Sequence, residues 1–375
     1  MTEATSEPEV LTRIEGRVGR ITLNRPQALH ALTTRMCRDI TAALLAWKDD
    51  PAVKLVLLDH SGERGFCAGG DIRMLAESGA GDGASAREFF FTEYRLNDLL
   101  FRYPKTTVAI MDGVTMGGGV GLSRPCRFRV ATERTTFAMP ETGIGLFPDV
   151  GGGSFLSRIP DRIGLWLALT GARLKAADCL FVGVATDYLP SQALPDLKRG
   201  LVRGDRTEAL LTRLEEDPGP SDLRVRAPEI RAGFGGASMA EVMRRLEVGT
   251  AWIRDQREIV LRASPLSVRV AFRQLQLSAQ TKTFAENMAM EYRIAARLVQ
   301  RQDFLEGVRA VVVEKDNAPN WSPAALERVS EAMIDEVFAP LRAEEEWTPL
   351  PELSASPPDG PPSRPAPEPA LHGGF

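Results

Sequence analysis

The sequence predicts an α/β fold followed by a helical C-terminal region. Two buried strand patterns, at residues 54–59 and 106–111, each lead into a glycine-rich stretch and then into a helix. Beyond residue 160 the apolar residues recur at helical spacing instead. A strand, loop and helix unit that occurs twice, at 54–75 and 106–123, is typical of a mixed core whose strands carry ligand-binding loops.

The chain begins with a predicted β-hairpin, whose strands are residues 10–15 and 21–24. Thr33 or Thr34 is the expected N-cap of a helix that runs to about Trp47, since both side chains can accept from a free backbone N–H.

The segment between the two repeats is predicted as two helices and a loop. Asp71 caps a short helix that ends near residue 75, and residues 86–102 form an amphipathic helix. The stretch 78–85 is rich in Gly, Ala and Ser, which predicts a mobile loop. Two more strands are expected at residues 128–132 and 136–138.

The C-terminal half is predicted to be helical. The expected helices are 161–170, 175–181, 206–216, 238–262, 266–278, 283–300 and 323–342. Residues 215–235 contain prolines and glycines that predict a linker. The expected division of the chain is a flexible start at 1–9, a core at 10–190, a helical region at 191–342 that completes the fold, and a disordered Pro-rich tail at 343–375.

Composition narrows the classes of function. The net charge of −4 argues against general nucleic-acid binding. The sequence has no apolar run of membrane-spanning length, and its acidic start is unlike a signal peptide, so we expect a cytoplasmic protein. The four cysteines are scattered without a CxxC pair, which predicts buried free thiols. Neither a metal nor another cofactor is expected.

A hydrolase with a catalytic histidine, of the Ser-His-Asp or Cys-His type, is disfavoured. The three histidines are His30, His60 and His372, and neither of the first two lies near a nucleophile motif, while the third falls in the predicted tail. Catalysis is therefore expected from carboxylates and backbone groups.

The candidate site is built from a glycine turn and two acids. Residues 113–123 form a glycine turn at a helix start, where unpaired N–H groups and the helix dipole face a ligand. Glu141 and Asp149 lie eight residues apart, which is not a one-face helical spacing, and Pro148 opposes a regular helix. A loop that brings both acids to the turn would suit a reaction in which a carbonyl oxygen becomes negative while a proton moves.

Ten blocks of the chain resemble the crotonase (enoyl-CoA hydratase/isomerase) superfamily. They include Phe66-Cys-Ala-Gly-Gly-Asp-Ile and Gly113-Val-Thr-Met-Gly-Gly-Gly-Val-Gly-Leu. The blocks are residues 23–26, 66–72, 113–122, 128–133, 137–153, 167–175, 264–267, 290–293, 304–310 and 314–321. The later blocks resemble the 3-hydroxyisobutyryl-CoA hydrolase branch most closely, and the resemblance spans about residues 12–340.

The resemblance implies a crotonase-like superhelix of repeated ββα turns and an acyl-CoA thioester as ligand. It implies an oxyanion hole from the backbone N–H groups of Gly70 and Gly118, with Glu141 and Asp149 as paired catalytic acids. Glu93 corresponds to an acidic position that contacts the substrate. The superfamily often forms trimers, so a homo-oligomer is one expectation.

The positions of the acids favour the hydrolase branch. An enoyl-CoA hydratase uses two glutamates, of which one corresponds to Glu141 and the other to position 121, which is Gly121 here. Asp149 stands where hydratases carry a glycine. Because the second acid stands at a different position, reaction at the carbonyl carbon is favoured over addition of water at the β-carbon. Two departures from the family, His30 and residues 124–126, leave the acyl-chain preference open.

Several alternatives remain at this point. Glu141 is either the nucleophile or the general base, and Asp149 would share its proton and pass it to the departing sulfur. An enoyl-CoA hydratase or isomerase, or a silent scaffold of the same fold that binds a partner protein, are the competing functions. Taken alone, Gly117–Gly119 would fit close packing, and Glu93 would fit a solvated helix face.

Overall fold

The computed structural model describes residues 7–353, and within them the strands form two sheets. The strands are β1 (Val10–Glu15), β2 (Val18–Leu23), β3 (Leu55–His60), β4 (Gly65–Cys67), β5 (Thr106–Met111), β6 (Val114–Met116), β7 (Phe128–Ala131), β8 (Thr136–Ala138) and β9 (Asp187–Tyr188).

The larger sheet has the order β1-β2-β3-β5-β7-β9, and the smaller one has the order β4-β6-β8. Only the β1–β2 hairpin is antiparallel; the other pairs in both sheets are parallel. Successive strands alternate between the sheets, so β3 is followed by β4, β5 by β6 and β7 by β8. This is the repeated ββα arrangement, and the predicted fold class is confirmed. The short strands β4 and β6 lie inside stretches that composition indicated only as glycine-rich loops.

Helices cover the sheets and make up most of the C-terminal half. They are α1 (Thr34–Lys48), α2 (Ile72–Gly79), α3 (Ala84–Phe101), α4 (Gly118–Ser123), α5 (Gly152–Leu156), α6 (Ile163–Thr170), α7 (Ala176–Phe181), α8 (Leu194–Arg203), α9 (Thr207–Leu214), α10 (Asp222–Gly233), α11 (Met239–Val248), α12 (Ala251–Arg262), α13 (Pro265–Ser278), α14 (Phe284–Leu298), α15 (Gln302–Val308) and α16 (Glu331–Phe338).

The predicted helix caps are confirmed where a polar side chain sits before the apolar pattern. Thr33 accepts from the N–H of Met36 at the start of α1, and Asp71 accepts from the N–H of Met74 at the start of α2. Each side chain satisfies one of the free N–H groups of the first turn.

Three predictions of loops and helices need correction. The loop predicted at 78–85 is shorter, because α2 runs to Gly79 and α3 begins at Ala84, which leaves residues 80–83 as the connection. The predicted linker 215–235 contains α10 in spite of Pro228, because its buried Leu223 and Ile230 face the core and Ser221 caps its start. The predicted helix 238–262 is two helices, since α11 ends before Gly249 and Thr250 caps α12.

Ordered contacts extend into both ends that were predicted to be disordered. Asn24 donates to the carbonyl oxygens of Pro8 and Glu9, so these residues continue the hairpin. At the other end, Trp347 is buried, and its indole N–H donates to the carbonyl oxygen of Phe91 at 3.2 Å. The predictions for residues 1–6 and 354–375 lie outside the described residues.

The packing that supports the site joins α3 to α1 on one side and to α14 on the other. Helices α13 and α14 also contact α5, which follows the loop that carries Asp149. The four cysteines are buried and free, as predicted. Among the helices of residues 7–353, none is both long and apolar enough to cross a bilayer.

Candidate active site

The two predicted oxyanion amides follow neighbouring strands of the small sheet. Strands β4 and β6 are parallel, with Cys67 opposite Thr115, so their carboxyl ends reach the same edge. The turns that follow are in close contact, since a methyl group at Gly117 would come within 3.0 Å of the Cα of Gly69. The sheet therefore brings the backbone near Gly70 and Gly118 together, as the resemblance implied.

The backbone pattern leaves both amides available to a ligand. Leu32 donates to Gly69 O at 2.8 Å and accepts from the N–H of Asp71 at 3.0 Å. In a parallel bridge of this kind, the intervening residue, Gly70, turns its own N–H away from Leu32. Gly118 is the first residue of α4, where an N–H has no acceptor within the helix.

Side chains would not fit at these glycines. A methyl group at Gly118 would lie 2.5 Å from Glu93 Oε1 and 2.8 Å from Leu32 Cδ1. A methyl group at Gly70 would lie 2.9 Å from the ring of Phe89. Gly117 adopts φ 46° and ψ −122°, a conformation open only to glycine. Close approach to Gly69 and to Glu93 explains Gly117 and Gly118, whereas Gly119 allows α4 to pack against β4, since a methyl group there would collide with Cys67 O.

Glu141 lies at the start of a 3-10 helix, Glu141–Ile144, directly after β8 and Pro140. Its side chain is buried, and Oε1 would be 3.6 Å from a methyl group at Gly117, so the carboxyl faces the glycine turn. Oε2 has no hydrogen-bond partner among the described residues. A buried acid with a free oxygen beside an oxyanion turn is the arrangement expected of a group that waits for substrate.

Asp149 is held by a residue that the sequence did not single out. The hydroxyl of Tyr94, on α3, donates to Asp149 Oδ2 at 2.8 Å. The next residue, Val150, has φ 53°, which is rare for a β-branched side chain and costs on the order of 1–3 kcal/mol. Strain at this turn persists only because its surroundings hold it in place.

The charges of the acids act on one another. Burial raises the pKa of Asp149 to about 6, although the hydrogen bond from Tyr94 opposes the rise. Burial, with the negative charge of Asp149 as the second cause, raises the pKa of Glu141 well above its ordinary value. Burial and the neighbouring negative charge therefore favour the neutral form of Glu141, whereas the hydrogen bond from Tyr94 favours the ionised form of Asp149.

Glu93 is buried in the site and is not on a solvated helix face. Its Oε1 atom lies against Gly118 and has no partner among residues 7–353. Burial, followed by the charge of Asp149, raises the pKa of Glu93 well above its ordinary value, so the neutral form is favoured. A neutral carboxyl can accept one hydrogen bond and donate another.

Position 121 is closed to a second hydratase-type acid. A methyl group at Gly121 would lie 2.6 Å from Asn97 Nδ2 and 2.8 Å from Val150 Cβ. Asn97 is four residues after Glu93 on α3 and is fully buried. A glutamate at 121 would therefore require both neighbours to move.

The departures from the family have structural roles. His30 is buried, accepts from the N–H of Arg25 at 3.0 Å through Nδ1, and approaches Ser61 O to 2.9 Å through Nε2. Both ring nitrogens are therefore bound to backbone. Arg124 stacks over Phe155 with its guanidinium 5.4 Å from the ring centre.

Sequence reasoning missed the residues behind the acids: Tyr94, Asn97 and Glu291. Tyr94 directly follows Glu93, and Glu291 lies in the block Met290-Glu-Tyr-Arg, so both lay within segments already singled out. Their contacts to the acid segment could not be read from spacing, because Tyr94 lies 55 residues from Asp149 and Glu291 lies 140 residues from Gly151 along the chain.

Comparison with known proteins gives a consistent family. The family model described as enoyl-CoA hydratase/isomerase matches residues 18–338. The chain is 43% identical over 352 residues to a protein named 3-hydroxyisobutyryl-CoA hydrolase, mitochondrial, from Danio rerio, with 91% of this chain and 92% of that one covered. The protein of the same name from Homo sapiens is 40% identical over 344 residues, with 89% of each chain covered.

Two solved structures are also similar along their whole length. A carnitinyl-CoA dehydratase from Mycobacterium thermoresistibile has a TM-score of 0.86 and 38% identity, with 91% of this chain and 98% of that chain covered. An enoyl-CoA hydratase from Rhodobacter sphaeroides 2.4.1 has a TM-score of 0.85 and 41% identity, with 91% and 100% covered.

Proposed function

This chain belongs to the enoyl-CoA hydratase/isomerase family, and we propose that it is the enzyme that hydrolyses a short 3-hydroxyacyl-CoA thioester. The substrate is 3-hydroxyisobutyryl-CoA, and the products are 3-hydroxyisobutyrate and CoA, a step of valine breakdown. Relatives at 40–43% identity over about nine-tenths of the chain carry the name of this hydrolase.

The placement of the acids is the observation that carries the proposal. Glu141 and Asp149 interact beside the Gly117–Gly118 turn, whereas position 121 has no room for the second glutamate of a hydratase. Acids at these places can reach a carbonyl carbon. They do not reproduce the pair of glutamates, at positions 141 and 121, with which a hydratase adds water across a double bond.

The first step is attack on the thioester carbonyl. Its oxygen lies between the amides of Gly70 and Gly118, which stabilise the developing negative charge. Each good donor lowers the activation barrier by about 3 kcal/mol. The attacking group is either the carboxylate of Glu141, which forms a mixed anhydride that water then opens, or a water molecule that Glu141 deprotonates.

Either route requires a proton to move first. Burial and the charge of Asp149 favour the protonated form of Glu141, so a proton leaves Glu141 before it acts, and Asp149 is the acceptor in this proposal. When the C–S bond breaks, its electron pair goes to sulfur, and Asp149 gives the proton to the thiolate. Tyr94 then stabilises the ionised Asp149 that remains. Net hydrolysis consumes one water and returns the pair to its starting state.

Glu93 explains the preference for a hydroxyacyl group. Its Oε1 lies beside Gly118 and has no partner among the described residues, so it is free to accept a hydrogen bond from a hydroxyl on the acyl group. A substrate without that hydroxyl leaves the buried carboxyl of Glu93 unpaired, which lowers its kcat/KM.

Thiol release from a small acyl-CoA panel tests the proposal. The panel contains 3-hydroxyisobutyryl-CoA, 3-hydroxypropionyl-CoA, isobutyryl-CoA and crotonyl-CoA. We expect rapid release from the two hydroxyacyl substrates and at least about tenfold slower release from isobutyryl-CoA. Absence of thiol release from every member would refute hydrolysis.

A hydratase is the second candidate, because one of the two solved structures reported above is titled an enoyl-CoA hydratase. Loss of the enone absorbance of crotonyl-CoA without thiol release would favour it. For a silent scaffold, a Glu141→Ala variant would release CoA at the same rate as the unchanged chain.

The remaining expectations stay predictions. The absence of a cofactor and the homo-oligomeric state are of this kind. The cytoplasmic location is another, since the relatives named above carry the word mitochondrial in their names.

A further inference from the structure

A buried polar cluster lies behind the turn that carries Asp149. At its centre is Glu291 on α14, which is fully buried and lies outside the set of residues expected to touch substrate. Glu291 Oε2 accepts from the N–H of Gly151 at 2.7 Å, and Oε1 accepts from the N–H of Gly153 at 3.0 Å. One carboxyl therefore binds two amides that follow Asp149 by two and four residues.

Two amide side chains complete the cluster. Gln274, on α13, donates both to Glu291 Oε1 at 3.0 Å and to Pro148 O at 2.7 Å. Asn287 donates to Glu291 Oε1 at 2.8 Å and accepts from the hydroxyl of Ser278 at 2.7 Å. Helices α13 and α14 thus hold the backbone on both sides of Asp149.

The glycines of the turn fit this cluster closely. A methyl group at Gly153 would collide with Ser278 Oγ and would lie 2.9 Å from Gln274 Nε2. A methyl group at Gly151 would lie 2.7 Å from the ring of Phe284. The triplet Gly151–Gly153 therefore lets backbone reach the carboxyl of Glu291 directly.

The turn needs such support because of Val150. Its φ of 53° is unfavourable for valine, and Gly151 continues in the left-handed region at 86°. Released from its anchors, the turn would relax, and the side chain of Asp149 would leave the hydroxyl of Tyr94.

We propose that Glu291 is a positioning residue, which holds the Asp149 turn through the amides of Gly151 and Gly153 so that Asp149 stays in place beside Tyr94 and Glu141. This role rests on the proposed function, because Asp149 is assigned there as the acid that protonates sulfur. Glu291 itself does not reach the reacting atoms.

The charges around Glu291 are few. Burial, the largest effect, raises the pKa of Glu291, but four N–H donors face its two oxygens, and because each oxygen acts as an acceptor this arrangement favours the carboxylate form. The titratable groups that act on it or are acted on by it are Asp149 from the turn and Tyr94 from α3.

Glu291→Gln is the decisive variant, because the amide keeps the size of the side chain but supplies one acceptor instead of two. Its NH₂ group would face an N–H donor of the turn. We expect kcat on 3-hydroxyisobutyryl-CoA to fall about 100-fold, as for an acid displaced by about 1 Å, while KM changes less than about threefold. Glu286→Gln, on the exposed side of the same helix, is the control and is expected to keep full kcat.

Two further measurements separate the possible outcomes. A crystal structure of free Glu291→Gln should show the Tyr94 Oη to Asp149 Oδ2 distance beyond hydrogen-bonding range. If the variant does not fold, Gln274→Met, which removes the contact to Pro148, should lower kcat about tenfold. Unchanged kcat, or an unmoved Asp149, in the folded variant overturns the proposal. A wild-type chain without thioesterase activity refutes the proposed function alone, since the displacement of Asp149 is measured without substrate.

Discussion

The two halves of the site are built in different ways. The turns proposed to form the oxyanion hole, at Gly69–Gly70 and Gly117–Gly118, are backbone, placed together because β4 and β6 are parallel neighbours. The acid segment from Glu141 to Gly153 depends on side chains from distant helices, with Tyr94 on α3 and Glu291 on α14. We therefore expect activity to be lost in the glycine half when an atom is added, and in the acid half when a hydrogen bond or a charge is removed.

The largest effect is expected from Glu141. Glu141→Gln keeps the volume of the side chain but removes both nucleophile and base, so we expect kcat to fall about 10³-fold or more. Thiol release under saturating 3-hydroxyisobutyryl-CoA measures it. Glu208→Gln, on the remote helix α9, serves as the control and should keep wild-type activity. A loss of less than tenfold at Glu141 would contradict its role.

The backbone half is tested at Gly118. Gly118→Ala introduces a methyl group that collides with Glu93 Oε1 and Leu32, so the turn must shift. The N–H of residue 118 then no longer points at the thioester oxygen. We expect kcat/KM to fall about 10²- to 10³-fold, the usual cost of one oxyanion donor. Gly143→Ala is the matched control, because a methyl group there would have no atom within 4 Å. Equal activities of the two variants would count against the oxyanion assignment.

Asp149→Asn tests the raised pKa of Asp149 through its effect on the free energy of unfolding. The native pKa of about 6 lies above the ordinary 3.8, so the folded state binds the proton more tightly and wild-type stability falls as pH rises through that window. Asparagine does not titrate, so the variant does not lose stability over this pH range. We expect its free energy of unfolding to exceed that of wild type by up to about 3 kcal/mol at pH 8, with no difference below about pH 4. Urea denaturation at both pH values measures the change, and a less stable variant at pH 8 would refute it.

The smallest effect is expected from Tyr94. Tyr94→Phe removes a hydrogen bond that lowers the pKa of Asp149, so that pKa rises and the pH–rate profile moves to higher pH. We expect kcat to fall about tenfold at neutral pH, in line with the loss of one charge-assisted hydrogen bond. The control is Tyr292→Phe, since that ring packs against Tyr94. A profile that moves to lower pH, or the same shift in both variants, would speak against the contact.

Prediction from sequence succeeded where the chemistry is local. The helix caps at Thr33 and Asp71, the buried strands and the glycine turn each follow from residues close together along the chain. It failed where packing overrides composition. Helices α2 and α3 extend into the Gly- and Ala-rich stretch 78–85 from its two ends, and α10 forms around Pro228 because Leu223 and Ile230 are buried.

Glu93 shows the same limit within the site. A glutamate on an amphipathic helix is indistinguishable by spacing from a solvated one, and only the resemblance pointed to a role in substrate contact. Its burial against Gly118 becomes visible once α3 is packed between α1 and α14.

The sequence by itself determined the fold class, the family and the residue types of the site, because strand periodicity, glycine turns and long motif blocks are properties of neighbouring residues. Only the tertiary structure decided how the acids are held, how burial and charge shift their pKa values, and why position 121 must stay glycine. Those features depend on burial and on contacts such as Tyr94 to Asp149 and Gly151 to Glu291, which join residues 55 and 140 positions apart. Burial and contacts of this range arise only when the chain has folded.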